Sequence, residues 1–239
     1  MERLCGVKGL IFDYGGTIDS NGLHWSEVLW TAYRQVGVPV EKSPFRDAYV
    51  FGERSLATHP YILPEHNFYD VLKAKASLQI QYLIENGYLE NRESVRQFAT
   101  SVAGVCYESA RTTTAKAREL ISLLYEKYPL VMVSNFYGNI HTVLDDFGLS
   151  PYFKTVIESA VVKIRKPDPA IFALGVEALG FRPEETVVVG DSYKKDILPA
   201  QSIGCQTIWL KGKGWTAEED AQPHKHIVYN FVDLKDLLL

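Results

Sequence analysis

Short apolar runs alternate along this chain with longer stretches of helical periodicity. The first run covers residues 7–12 and ends at Asp13, and two glycines follow one residue later. An apolar run of this length, bounded by turn-forming residues, predicts a buried strand followed by a turn. Five further runs of this kind predict strands at residues 130–133, 155–157, 186–189, 207–210 and 226–228.

Segments with apolar residues at helical spacing lie between the predicted strands. In residues 23–36, Trp25, Leu29, Ala32 and Val36 share one face of a predicted helix. Further helices are predicted at residues 68–85, 92–110, 114–127, 139–147, 168–179, 194–203 and 232–238, with loops at Ser43-Pro44, His59-Pro60 and Leu63-Pro64. The chain between the first two strands is therefore expected to be almost wholly helical.

This order of elements predicts an α/β fold, namely a doubly wound, Rossmann-like parallel sheet with an inserted all-α helical cap domain. Alternating strands and helices favour a parallel sheet covered on both faces, and strands inside such a sheet are apolar throughout. We assign residues 1–18 and 111–239 to the core and residues 19–110 to the cap. Hinges between the two are expected near residues 19–22 and 110–114.

Composition and charge narrow the classes of function. The chain has 239 residues, of which 46% are apolar and 23% charged, with a net charge of −4. A general nucleic-acid binder usually carries a basic excess, so nucleic acid is not an expected partner. No apolar run reaches the roughly 18 residues of a membrane span, and residues 1–7 do not begin a secretory signal. Three scattered cysteines without a C-x-x-C pair fit a reducing compartment, so we expect a cytoplasmic protein.

Polar residues follow the first two predicted strands. In open parallel sheets, ligands bind at the carboxyl ends of the strands. Asp13 is suited to act as a nucleophile or a metal ligand there, with an ordinary turn aspartate as the alternative. Ser134, followed by Asn135, is suited to donate a hydrogen bond to a phosphate oxygen, with a helix cap or turn as the alternative.

A lysine precedes a predicted helix in the run Arg165-Lys166-Pro167-Asp168-Pro169. Asp168 and Pro169 suit the N-cap and the first position of that helix. Lys166 would then lie just before the helix, where an ammonium group neutralises phosphate charge. The alternative is a surface lysine, which is the commonest place for this residue.

Two acids follow the strand that ends near Gly190. Asp191 and Asp196 would repel Asp13 if all three met at one edge of the sheet, unless a cation lay between them. Carboxylate, carbonyl and water oxygens are the ligands that Mg²⁺ prefers. A turn at Asp191 and a helix cap at Asp196 are the alternatives.

In this order, the four segments resemble the motifs of the haloacid-dehalogenase-like hydrolases. That family has a strand followed by D-x-D-G-T, a strand ending in Ser or Thr, a Lys often within K-P-D-P, and a G-D pair followed by another Asp. The corresponding positions here are residues 13–17, Ser134, residues 166–169 and residues 190–196. The resemblance spans residues 7 to about 210, and the helical insertion resembles the family's helical cap.

The resemblance implies a hydrolase that acts on a small phosphorylated metabolite as a monomer or homodimer. Asp13 is implied to attack phosphorus and form an aspartyl-phosphate. Phosphate-binding roles are implied for Thr17, Ser134, Asn135 and Lys166. A Mg²⁺ site is implied at Asp13, the Gly15 carbonyl, Asp191 and Asp196, the last of which would position Lys166 or a metal-bound water.

The departure from the family pattern is Gly15. Family phosphatases carry a second aspartate there, which protonates the leaving alcohol and later activates water. General acid–base catalysis typically contributes about 10²–10⁴-fold, so its loss is large. His24 is a candidate for this proton transfer or for a phosphate contact, because related sugar-phosphate enzymes often have a histidine in the first cap helix. Packing or surface exposure is its alternative.

Three functions stay open at this point. The first is a phosphatase, of modest rate if no other group supplies the proton. The second is phosphonate hydrolysis, which needs a cap lysine as a Schiff base, and Lys42, Lys73 and Lys75 are available. The third is binding of a phosphorylated ligand or partner without turnover. A dehalogenase is less attractive, because those relatives replace the metal-site acids and Asp191 and Asp196 remain here.

Overall fold

A parallel six-stranded sheet in the order β3-β2-β1-β4-β5-β6 forms the centre of the computed structural model, which describes residues 3–239. The strands are β1 (Gly9–Phe12), β2 (Leu130–Ser134), β3 (Thr155–Glu158), β4 (Thr186–Gly190), β5 (Gln206–Leu210) and β6 (Ile227–Val228). The chain moves outward from β1 in both directions, through β2 and β3 and later through β4 to β6. The β1–β4 pair is therefore the switch point of a doubly wound sheet, and the predicted fold class is confirmed.

Each face of the sheet buries its own apolar cluster, because side chains alternate between the faces along a strand. On one face, Ile11 and Val133 pack with Phe172 of a covering helix. On the other, Phe12 and Met132 belong to a larger cluster that extends into the helices inserted after β1. Coverage on both faces explains why β1, β2 and β4 are buried at every residue.

The helices follow the first strand and lie between and after the later strands. They are α1 (Trp25–Val36), α2 (Lys42–Thr58), α3 (Phe68–Glu85), α4 (Glu93–Arg96), α5 (Phe98–Tyr125), α6 (Ile140–Asp146), α7 (Ser159–Val162), α8 (Ala170–Leu179), α9 (Leu198–Ser202), α10 (Ala217–Asp220) and α11 (Lys235–Leu238). Helices α1–α5 all lie between β1 and β2, and α3 packs against α2 and α5. Within residues 3–239, none of the helices is long and apolar enough to cross a membrane.

The predicted break between two helices at residues 110–114 is wrong, because α5 continues through it for 28 residues in all. Ala110, Thr114 and Ala117 are buried at helical spacing and extend one apolar stripe across the threonine-rich segment. The boundary proposed between cap and core falls inside this helix. The division into residues 1–18 with 111–239 and residues 19–110 stays a prediction, and residues 1 and 2 lie outside the described residues.

Three other boundaries differ from the predicted ones. The loop predicted at Ser43-Pro44 is wrong, since α2 begins at Lys42 and a proline in a first helical turn loses no intrahelical hydrogen bond. Helix α8 begins at Ala170, whose backbone N–H donates to Asp168 Oδ1 at 2.9 Å. The single helix predicted at residues 194–203 is a π-helical turn over Tyr193–Ile197 followed by α9.

Candidate active site

The first two strands and the fourth bring three polar residues to one edge of the sheet. Asp13 follows β1, Ser134 ends β2 and Asp191 follows β4. Because β1 pairs with both β2 and β4, their carboxyl ends lie side by side. The Asp13 backbone N–H donates to the Val189 carbonyl at 3.0 Å, so the β1–β4 ladder continues as far as Asp13.

Lys166 enters this edge from the loop before α8 and lies between two carboxylates. Its Nζ is 2.5 Å from Asp13 Oδ1 and 2.7 Å from Asp196 Oδ1, and all three side chains are buried. Asn135 holds the lysine backbone on both sides. Its Nδ2 donates to the Lys166 carbonyl at 3.1 Å, and its Oδ1 accepts from the Lys166 N–H at 3.0 Å. The Asn135 side chain therefore positions Lys166, and its predicted phosphate contact stays a prediction.

Three acids meet within reach of a single ion. Oxygens of Asp13, Asp191 and Asp196 all lie within 4.8 Å of one another. Burial raises the pKa of Asp13 to about 6 although Lys166 opposes it, and burial followed by repulsion from Asp196 and Asp13 raises the pKa of Asp191 well above its usual value. When ionised, these acids carry three negative charges against one ammonium group. The cluster therefore fits a divalent cation with oxygen ligands.

The Thr17 side chain lies between Asp13 and Asp191. Its hydroxyl is within hydrogen-bonding distance of Asp13 Oδ2, at 3.0 Å, and of Asp191 Oδ1, at 3.3 Å. The turn that brings Thr17 back needs Gly16, whose φ is +98° and whose missing Cβ would overlap the Asp191 carboxylate. Thr17 thus supports the acid cluster, and its predicted phosphate contact stays a prediction.

A cavity of about 520 Å³ lies over the cluster, between the sheet edge and the inserted helices. Its floor includes Asp13, Gly15 and Ser134, which the sequence placed together. Its walls include aromatic side chains of α1, α2 and α3 and of the loop after β5, namely Trp25, Tyr49, Phe68 and Trp215. A cavity of this size, lined by aromatic side chains and by many charged groups, suits a small polar or charged molecule.

His24 lies on the cavity wall as the N-cap of α1. Its Nδ1 accepts from the Ser26 backbone N–H at 3.2 Å, and its ring contacts Tyr49 and Trp215 at centroid distances of 5.8 and 5.3 Å. Burial, followed by repulsion from Lys195, lowers the pKa of His24 to about 4. The imidazole is therefore neutral at neutral pH, and its predicted role in proton transfer or phosphate contact stays a prediction.

The three lysines considered as Schiff bases have different surroundings. Lys42 pairs with Glu27 on the surface, and Lys73 is exposed. Lys75 is buried, lines the cavity and lies 2.6 Å from Glu53 Oε1. Burial alone would lower the pKa of Lys75, but the Glu53 carboxylate raises it well above its usual value. The amine that faces the cavity is thus held protonated.

Several residues of this cavity are not predicted from the sequence to take part in chemistry, and Asp19 and Trp215 are two of them. The sequence predicts Asp19 only as part of a hinge, yet Asp19 lines the cavity and is 1% exposed. Its position in the same turn as Asp13 was the available signal. Trp215 carried no signal in the sequence, because it comes from the loop after β5. The Arg46 guanidinium of α2 lies 4.1 Å from its ring centroid.

Comparison with known proteins places this chain among hydrolases. The model of the haloacid dehalogenase-like hydrolase family matches residues 7–204. The chain is 34% identical over 129 residues to a pyrimidine 5'-nucleotidase of Streptococcus pneumoniae. The matched segment covers 53% of this chain and 54% of that protein. It therefore matches about half the length of this curated relative. It is also 26% identical to a phosphoglycolate phosphatase of Yersinia pestis, over 98% of this chain and 94% of that protein.

The fold comparison agrees. A crystal structure of a putative hydrolase from Bacillus subtilis, described as bound to magnesium, superposes with a TM-score of 0.58. The two chains are 21% identical, and the match covers 97% of this chain and 98% of that one. At this identity the likeness shows a shared fold.

Proposed function

Since the chain belongs to the haloacid dehalogenase-like hydrolase family, we propose that it is a Mg²⁺-dependent phosphatase that uses Asp13 as its nucleophile. The observation that carries the proposal is the contact of Asp13 with Lys166, at 2.5 Å, inside an acid cluster that lines a cavity. One carboxylate is thus held beside a fixed cation, at the place where an anionic substrate would approach it.

The side chains divide the work of phosphoryl transfer. Asp13 attacks phosphorus and becomes an aspartyl-phosphate, while Lys166 and the Ser134 hydroxyl bind phosphoryl oxygens. Asp13, Asp191, Asp196 and the Gly15 carbonyl would hold Mg²⁺, whose positive charge would screen the anionic nucleophile from the anionic substrate. Asp196 keeps Lys166 Nζ beside Asp13 through its 2.7 Å ion pair. Preorganised charges of this kind stabilise the transition state without reorganising during the reaction.

The substrate class we propose is a small phosphorylated metabolite. A cavity of about 520 Å³ accommodates a molecule of that size, and Lys75 and Lys195 on its walls favour one with further oxygen atoms. The chain resembles a nucleotidase and a phosphoglycolate phosphatase, and both of those proteins are named as enzymes that hydrolyse phosphate esters. Tyr49 and Trp215 offer apolar surface for the rest of the substrate.

Phosphonate hydrolysis through a Schiff base is less well supported. That chemistry needs a neutral amine as the nucleophile. Lys75 is the lysine placed to provide one, but its ion pair with Glu53 keeps it charged. The same pair suits an electrostatic contact with an anionic substrate instead.

The test is phosphate release from a panel of phosphorylated metabolites, with MgCl₂ and with EDTA. The Asp13→Asn variant is assayed in parallel, because it keeps the size of the side chain and removes the nucleophile. We expect release that requires both Mg²⁺ and Asp13, and an acid-stable trace of phosphorylated protein when the reaction is quenched.

An Asp47→Asn variant is the matched control, since Asp47 is exposed on α2 and lies outside the residues that line the cavity. It should retain the wild-type rate. Equal release by the wild-type and Asp13→Asn proteins would show that Asp13 is not the nucleophile. If the wild-type protein releases phosphate from none of the phosphate esters, phosphonate hydrolysis or binding without turnover becomes the favoured function.

A further inference from the structure

The carboxylate of Asp19 reaches the space that an acid at position 15 would face. A Cβ atom built on Gly15 would lie 4.0 Å from Asp19 Oδ2. The chain from Tyr14 to Asp19 curls into a tight turn, in which the Ile18 N–H donates to the Tyr14 carbonyl at 2.9 Å. Position 19 is thereby carried back beside position 15, and Asp19 lines the same cavity as Asp13.

Two fixed donors orient the Asp19 carboxylate. The Gly16 backbone N–H donates to Oδ1 at 2.7 Å, and Trp25 Nε1 donates to Oδ2 at 2.9 Å. No salt bridge to Asp19 is found among residues 3–239, in contrast to Asp13 and Asp196 with Lys166. A buried carboxyl group that forms no salt bridge with these residues, held at one orientation toward a cavity, is suited to carry a proton.

We infer that Asp19 is the general acid and base of this site, and that it replaces the aspartate that family phosphatases carry at position 15. This inference rests on the proposed phosphatase function. In the first half-reaction a bond forms between Asp13 and phosphorus, the ester P–O bond breaks, and the Asp19 proton goes to the leaving oxygen. In the second, the Asp19 carboxylate takes a proton from the water that attacks phosphorus. The Asp13–phosphorus bond breaks, phosphate leaves, and protonated Asp19 is restored.

The surroundings of Asp19 support this assignment over His24. Burial raises the pKa of Asp19 to about 7, against the hydrogen bonds from Gly16 and Trp25. A group in that range exchanges a proton readily near neutral pH. His24 is neutral there, and its Nδ1, the nitrogen that would take up a proton, already accepts from the Ser26 backbone N–H.

The experiment compares two leaving groups in the wild-type protein and in the Asp19→Asn variant, each with Mg²⁺. An alkyl phosphate, such as glycerol phosphate, needs a proton on its departing oxygen, whereas 4-nitrophenyl phosphate does not. We expect Asp19→Asn to slow release of the alkyl alcohol by about 10²–10⁴-fold. With the aryl ester we expect a rapid burst of about one nitrophenolate per protein, followed by slow turnover, because aspartyl-phosphate still forms but its hydrolysis lacks a base.

A second variant separates chemistry from folding. The Asp19→Asn, Gly15→Asp double variant puts a carboxylate back in this region, because the Cβ of a side chain at position 15 would lie 4.0 Å from the position of Asp19 Oδ2. Gly15 has no positive φ that would oppose a side chain. We expect the double variant to recover alkyl-phosphate turnover at least tenfold over Asp19→Asn alone. The burst with the aryl ester shows at the same time that the single variant is folded.

The outcomes are distinguishable. Equal slowing of bond cleavage for the two esters, or unchanged turnover of both in Asp19→Asn, would overturn the assignment of Asp19 and leave the phosphatase intact. Absence of phosphate release by the wild-type protein from these two esters and from every member of the metabolite panel would overturn the proposed function itself, and the assignment with it.

Discussion

Lys166 Nζ lies 2.5 Å from Asp13 Oδ1, so the loop before α8 meets the end of β1 across 153 positions of sequence. The same ammonium group lies 2.7 Å from Asp196. One cation thus compensates part of a buried acid cluster, and the remaining negative charge sets both the stability of the site and its affinity for a divalent cation.

Removing the cation should destabilise the protein most where the acids are ionised. Lys166→Met leaves Asp13 and Asp196 without their partner, and loss of one member of a buried ion pair typically costs about 3 kcal/mol. We expect a loss of that order in the free energy of unfolding at pH 8, and a smaller loss at pH 5, below the pKa of Asp13 of about 6. Urea unfolding in EDTA measures both. Lys116→Met, at an exposed position of α5, is the control and should change little.

Mg²⁺ should stabilise the wild-type protein and should stabilise an Asp191→Asn variant much less. A ligand at about 100 times its dissociation constant contributes roughly 2.7 kcal/mol to the stability of the folded state. In EDTA the variant should be at least as stable as the wild type, since one of three mutually repelling buried carboxylates is gone. Thermal unfolding with and without MgCl₂ measures the shift. An equal shift in both proteins would place the ion elsewhere.

Acid should destabilise the protein through His24. Burial lowers the pKa of His24 from 6.5 to about 4, so between these values the unfolded chain binds a proton that the folded chain does not. The stability gained from neutral His24 is therefore present above pH 6.5 and is lost as the pH falls toward 4.

An asparagine at position 24 tests this pH dependence, because it keeps the helix cap and removes the titration. We expect His24→Asn to gain stability relative to the wild type as the pH is lowered from 7.5 to 5, measured by urea unfolding at each pH. Parallel pH profiles of the two proteins would contradict the shift.

The Lys75–Glu53 pair on the cavity wall should behave as a coupled unit. Lys75→Met leaves Glu53 without its 2.6 Å partner, and we expect a loss of roughly 2–3 kcal/mol in the free energy of unfolding. The Lys75→Met, Glu53→Gln double variant should recover most of that loss, since no uncompensated charge remains. A double-mutant cycle by urea unfolding measures the coupling, and additive effects would show that the two charges act independently.

The same variants separate stability from substrate binding. If Lys75 contacts an anionic part of the substrate, the double variant should be stable and yet show a raised KM with little change in kcat. Loss of a contact made equally in the ground state and the transition state has this signature. The measurement uses the best substrate from the phosphate-release panel.

The sheet and much of the candidate site were predictable from the sequence for one physical reason. Continuous apolar runs report strands buried on both faces, and parallel strands carry their carboxyl ends to a shared edge. Asp13, Ser134 and Asp191 therefore had to approach one another once the strands were identified. The family resemblance implied that Lys166 would approach this edge. In the structure, Lys166 Nζ lies 2.5 Å from Asp13 Oδ1.

Helix boundaries were less predictable, because local signals compete with packing. The threonine-rich segment before Ala115 favours a break on local grounds, yet its buried Thr114 lies in the apolar stripe of α5, and packing of that stripe keeps the helix continuous. Pro44 likewise indicates a loop only if its position relative to the helix start is unknown.

The sequence by itself determined the class of fold, the residues at the strand ends and the absence of an acid at position 15. These depend on hydrophobic periodicity and on residue identity, which act locally. Only the tertiary structure decided that Asp19 faces the gap left by Gly15, that Lys75 rather than Lys42 or Lys73 reaches the cavity, and that Lys75 is paired with Glu53. Burial, orientation and distance between side chains arise when separate elements pack, and no local pattern in the chain specifies them.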